Sequence, residues 1–297
     1  MRVISLLPGA TDTLVALGGA SLLVGVSHSC DHAATAGLPR VTSSPVDAAA
    51  SSAAIDAAVR EIAASGRPMY ALDRDRIRTL HPDLIVTQSL CDVCAVSESE
   101  VRHLAASLDP PPRVLALAGG TVDALLDDVL ALGAATGLAD EAEELVAGLR
   151  RRMRIVHETL KAARAPRPRV AVVEWTDPLF ASGHWVPDQV LRAGGLDVLA
   201  APGEHSRVLT HRQLLEAAPQ LVVVAPCGFA LDRAADEAER LVRDLPSLAA
   251  GQVWALDAAT LTSRPGPRVV AGIETLARLF VPTLFTPLAP GTARRIA

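Results

Sequence analysis

The chain has 297 residues, half of them hydrophobic, and a formal net charge of −5. That is enough apolar material for a large buried core. The acidic balance excludes the basic face that nucleic-acid binding needs. Four cysteines are too sparse for a disulfide scaffold, and no run of ~18 uncharged apolar residues suggests a spanning helix.

The N-terminal stretch "MRVISLLPGATDTLVALGG" has a short apolar run broken by Pro8 and followed by Asp12. It lacks the features of a secretory leader, and it predicts a cytoplasmic protein. Short apolar strands then alternate with helical patterns. The strands are "RVISL" (2–6), "LLVGVS" (22–27), "DLIVTQ" (83–88), "RVLALA" (113–118), "RVAVVEW" (169–175), "QLVVVAP" (220–226) and "QVWALD" (252–257). Their hydrophobicity is continuous rather than alternating, which predicts parallel strands covered on both faces.

Residues 138–163 break this rhythm. Ala142, Leu145, Val146, Leu149, Met153, Val156 and Leu160 recur at three- and four-residue steps, the mark of one long helix. Acidic residues open it and arginines follow, the order the helix dipole favours. The arginine run reads as a solvated helix face.

On either side of this helix the chain repeats itself weakly. "RTLHPDLIVTQSLC" (78–91) is matched by "LEAAPQLVVVAPC" (215–227), and Gly18-Gly19 is matched by Gly194-Gly195. The expected architecture is therefore α/β: two similar lobes with parallel sheets, joined by one long helix. The N-terminal lobe is expected at 1–120, a helical linker at 121–167 and the C-terminal lobe at 168–297. Ligands of open parallel sheets bind at the carboxyl ends of the strands, so the cleft between the lobes is the expected site.

Cys30, Cys91, Cys94 and Cys227 each lie just past an expected strand end. Cys91 and Cys94 form a C-x-x-C. The four thiols are candidate ligands for zinc or an iron-sulfur cluster; the plainer alternative is strands that simply end in cysteine. A dithiol redox site is a third reading, although the next helix starts only near Ser97, with Glu98 and Glu100 after it.

His28 and His184 occupy the same rim, and Gln88 closes its strand. Aromatic residues are rare, and Trp175, Phe180, Trp185 and Phe229 concentrate in the rim loops. That suits a flat, partly apolar ligand. Arg264, in "TLTSRPGPR" (260–268), is the partner for an anionic or amide-bearing group. No nucleophile motif, P-loop or dinucleotide fingerprint is present, so no catalytic residue is assigned.

The segments "VISLLPGATDTLVALG", "LVGVSHSCDH", "LHPDLIVTQSLCDVCAV", "GHWVPD", "PCGF" and "SRPGPR" are similar to segments of cobalamin-binding proteins. The element order resembles the class III periplasmic-binding fold, the superfamily of cobalamin-, haem- and siderophore-binding proteins of ABC importers. The resemblance implies a small-molecule ligand, cobalamin or a related corrinoid, and the sequence, with no nucleophile–base pair, suggests that it is bound without chemical change. His28, Gln88, Trp175, Phe180, His184, Trp185, Phe229 and Arg264 are its expected contacts. The leaderless N-terminus argues against an ABC permease as partner, and a monomer or weak dimer is expected. The competing expectation is a metal or iron-sulfur protein, with an enzymatic role open, that uses the four cysteines.

Overall fold

All seven apolar runs form strands, and each joins a parallel pair. The computed structural model describes residues 1–90 and 96–297. These form two compact units, one comprising Met1–Gly119 and Asp123–Ala147, the other Gly120–Val122 and Gly148–Ala297.

The first unit runs β1 (Val3–Ser5), α1 (Pro8–Ala16), β2 (Leu23–Val26), β3 (Thr42–Ser43), α2 (Ser52–Ala64), β4 (Ala71–Leu72), α3 (Arg74–Thr79), β5 (Leu84–Gln88), α4 (Glu98–Ala106), β6 (Arg113–Leu117) and most of α5 (Val122–Thr136). Its sheet has the order β2-β1-β5-β6. Val3, Leu84 and Val86 enter one apolar cluster, and Ile4 and Ile85 enter another. Both faces of the sheet are therefore covered, which is why the strands read as continuous apolar runs. α4 starts as its sequence suggests, with Ser97 Oγ accepting the Glu100 N–H.

The long helix is α6 (Ala139–Ala162), and the boundary between the units falls within it. Ala142, Val146, Leu149, Met153 and Val156 are its buried stripe. A Cβ at Gly133 of α5 would stand 2.3 Å from that of Ala142, so glycine lets the two helices approach closely. Arg152 departs from the expected solvated face. Its Nε and Nη2 donate to the two Glu274 carboxylate oxygens at 2.8 and 2.9 Å.

The second unit continues with β7 (Arg169–Thr176), β8 (Leu179–Ala181), α7 (Val186–Arg192), β9 (Leu196–Asp197), α8 (His211–Glu216), β10 (Leu221–Val224), α9 (Leu231–Asp244), β11 (Gln252–Leu256), α10 (Ala258–Leu261), α11 (Val269–Phe280) and β12 (Ala293–Arg295). The sheet order is β12-β11-β10-β7-β8, with β9 also on β7. The strands β7, β10 and β11 are parallel, whereas β8 and β12 run antiparallel to their neighbours. These short edge strands lack an apolar run long enough to show in the sequence.

The repeat extends to side chains. The Arg2 N–H donates to Asp83 Oδ2 at 2.6 Å, and the Arg169 N–H donates to Gln220 Oε1 at 2.9 Å. Arg2 Nε donates to the Leu80 carbonyl at the end of α3. Likewise Arg169 Nη2 donates to the Ala217 carbonyl at the end of α8. In each unit this arginine serves the orphan carbonyls that a helix C-terminus leaves.

Candidate functional site

In the first unit the carboxyl ends of β2 and β5 carry His28 and Gln88. The His28 N–H donates to Thr42 Oγ1 at 3.0 Å, and His28 Nδ1 lies 2.7 Å from the same hydroxyl. Burial holds the His28 pKa below its ordinary value, and its ring lies 5.6 Å from that of Tyr70. Gln88 is buried at the end of β5.

Cys30 follows β2 as expected, but a turn tucks it inward: its N–H donates to the Ser27 carbonyl at 3.1 Å. The thiol lies 3.1 Å from Thr11 Oγ1, within the cluster of Leu7, Leu14 and Val26. Burial pushes its pKa up, which disfavours the thiolate that binds metal. Cys227, past β10, is exposed. Cys91 and Cys94 lie outside the described residues. Among the described residues no three His, Cys, Asp or Glu side chains gather as a metal site.

In the second unit the carboxyl end of β7 holds a different arrangement. The ladder with β8 pairs Val173 with Ala181 and Trp175 with Phe180, so Glu174 is an extra residue in β7. Such a bulge re-aims the side chain that follows it. Val173, Leu179 and Ala181 belong to the core cluster on one face. Trp175 therefore joins Phe180 on the opposite face. Val208 bridges Phe180 from the next segment, which extends the row, and Val208 is 53% exposed. At the other end the Phe229 ring meets Trp175 edge-on at 5.2 Å, and the Arg233 guanidinium stacks over Phe229 at 3.5 Å. β7, β8 and the Val208 segment, ~4.8 Å apart, spread the row over roughly 10 Å.

The Glu174 carboxylate is held at both oxygens. It accepts the Gly183 N–H at 3.1 Å and the Ser206 hydroxyl, fixing the loops on either side of His184. A Cβ at Gly183 would lie 2.3 Å from the Ser206 nitrogen, so only glycine fits. His184 has φ 55°, and its ring meets that of His205 at 5.0 Å. Burial first, and then His205, lowers its pKa. Its Nε2 is buried without a hydrogen-bond partner among the described residues.

Trp185 and Phe229 are 8% and 5% exposed, whereas Trp175 and Phe180 keep more of their surface. Trp185 Nε1 donates to the Thr262 carbonyl at 2.8 Å, so its polar edge is committed inside the unit. Arg264 lies on the loop that begins there. The sequence reading missed Glu174, His205, Val208 and Arg233. A bulge and a cross-strand row depend on register, which no local pattern encodes.

Solved structures share this architecture. A periplasmic haem-binding protein from Pseudomonas aeruginosa superposes with a TM-score of 0.71 at 23% identity, over 99% of this chain and 97% of that one. The vitamin B12-binding protein BtuF of Vibrio cholerae gives 0.66 at 22%, over 94% and 96%. A possible iron-binding periplasmic protein from Staphylococcus epidermidis gives 0.64 at 16%, over 93% and 96%. No curated protein matches the chain in sequence. These likenesses, each below 25% identity, carry the fold alone. The family described as periplasmic binding protein matches residues 3–260, and with two α/β units sharing one long helix the chain belongs to that family.

Proposed function

We propose that the protein binds a corrinoid or a related tetrapyrrole without transforming it. The observation that carries this reading is the apolar row Val208–Phe180–Trp175 beside the carboxyl end of β7, backed by the buried Phe229. It offers a flat ligand a broad surface of aromatic and aliphatic side chains. His184 and Arg264 supply polar contacts beside it, the arginine toward carboxylate, phosphate or amide groups. On the first unit, His28 and Gln88 lie at the carboxyl ends of β2 and β5. Proteins of the same fold that bind vitamin B12 and haem support the ligand class.

The test is a titration of the purified protein with cyanocobalamin and, separately, with hemin, followed by absorption and calorimetry. At least one should saturate with a spectral change. Burying one large side chain against a ligand contributes roughly 1.5–3 kcal/mol. At ~1.4 kcal/mol per tenfold, Trp175→Ala or Phe180→Ala should weaken binding about ten- to a hundredfold. No binding of either probe to folded protein at high micromolar concentration would overturn the reading.

A further inference from the structure

Gln189 is fully buried on α7, between neighbours as apolar as Val186 and Val190. Its Nε2 donates twice, to the Leu261 carbonyl and to the Val269 carbonyl, both at 2.9 Å. Its Oε1 has no partner among the described residues. Turning the amide over would set an oxygen against two carbonyl oxygens, so the orphaned Oε1 follows from the double donation. A buried polar atom left unpaired calls for a reason.

The two acceptors supply it. Leu261 ends α10 and Val269 begins α11, so one amide ties both ends of the 262–268 loop. One helical turn earlier, just before α7, Trp185 Nε1 holds the Thr262 carbonyl at 2.8 Å. The Ser263 hydroxyl accepts the Gly228 N–H at 2.9 Å. Within the loop Pro265 and Pro267 restrict the backbone, and Gly266 takes φ 154°. Space for the amide is itself built in, since a Cβ at Gly272 would lie 2.4 Å from both Gln189 Nε2 and the Leu261 oxygen.

We propose that Gln189, with Trp185, is the positioning residue of the arginine loop: it fixes both loop ends so that Arg264 is presented already ordered to an anionic or amide-bearing group of the ligand. This rests on the ligand-binding reading above. A loop ordered in advance loses less freedom when ligand arrives.

The experiment compares wild type, Gln189→Met, Trp185→Phe and Arg264→Ala by peptide-resolved hydrogen exchange and by titration with cyanocobalamin and hemin. Gln189→Met should speed exchange of the Thr262, Ser263 and Val269 amides about tenfold or more, with the rest of the second unit unchanged. It should also weaken whichever probe binds wild type by about tenfold. Trp185→Phe removes the donor together with the five-membered ring, so it should loosen the Thr262 end, and it decides the matter if Gln189→Met does not fold. Arg264→Ala should lose at least as much affinity as Gln189→Met. Wild-type exchange at 262–269 in a folded Gln189→Met, or faster exchange spread over the whole unit, would overturn the proposal. So would unchanged affinity with a loosened loop. Should neither probe bind wild type, the ligand reading fails, while the exchange data still decide whether Gln189 orders the loop.

Discussion

Asp197 shows how one polar residue can shape the region around His184. Its Oδ1 accepts the Leu199 and Ala200 N–H groups at 2.9 and 3.1 Å, and its Oδ2 accepts from Ser182 Oγ at 3.2 Å. Ser182 directly precedes the Gly183–His184 turn. Burial nevertheless outweighs these bonds and raises the carboxyl pKa to about 6. A folded-state pKa above the unfolded one means that the folded protein holds the proton more tightly. Between the unfolded value near 3.8 and about 6, this group therefore makes stability fall as pH rises. Above that window both states are ionised and the full penalty persists, about 2–3 kcal/mol at most. Asp197→Asn keeps the acceptor for the two N–H groups and turns a donor toward Ser182. It should be neutral or stabilising at pH 7, and the stability difference from wild type should shrink on titration toward pH 4. Chemical denaturation at several pH values checks this; a variant less stable than wild type at pH 7 would show that the ionised carboxylate is needed.

Two helix ends offer a controlled comparison at the level of the element. α1 closes with Gly18 N–H to the Val15 carbonyl at 3.0 Å and Gly19 N–H to the Leu14 carbonyl at 2.8 Å. α7 closes in the same way, with Gly194 to Leu191 at 3.1 Å and Gly195 to Val190 at 2.9 Å. This is the paired closure of a Schellman motif, which places its first glycine in the left-handed region; Gly18 has φ 77° and Gly194 φ 90°. A Cβ at Gly18 meets nothing within 4 Å, whereas one at Gly194 lies 2.8 Å from Leu160 Cδ1. Gly18→Ala should therefore cost about 1–2 kcal/mol from backbone alone. Gly194→Ala should cost that and a further increment for displacing Leu160 from α6. Equal losses in thermal unfolding would mean that Leu160 yields freely. These helix ends were legible in the sequence because Gly-Gly after an apolar period is a local signal. The seven strands were legible for the same reason, each being a continuous run. The edge strands β8, β9 and β12 were not, because two or three residues carry no period. The burial of Cys30 was not legible either. It comes from the turn at Ser27 and the hydroxyl of Thr11, a contact that spans nineteen positions and exists only once α1 has docked on its sheet.

For the whole molecule, the question is how to separate residues that meet ligand from residues that hold the fold, since both kinds weaken binding when they are removed. Trp175 and Phe180 sit on the face of the β7–β8 pair opposite the core cluster, half-buried. Arg152, by contrast, spends its guanidinium on Glu274 of α11, and that pairing lowers the Glu274 pKa. A ligand that binds only the folded state raises stability by an amount set by its concentration relative to Kd, about 2.7 kcal/mol at a hundredfold excess over Kd. Thermal unfolding with and without saturating probe therefore yields two quantities for each variant. Arg152→Ala should lower the unligated transition, because the Glu274 carboxylate loses its partner, yet the ligand-induced rise should match wild type. Trp175→Ala and Phe180→Ala, whose side chains are half-buried, should lower the unligated transition modestly and, unlike Arg152→Ala, lose most of the rise at the same probe concentration. If Arg152→Ala lost the rise, the ion pair would be required to form the site. If Trp175→Ala kept it, the apolar row would not be the surface on which the ligand rests.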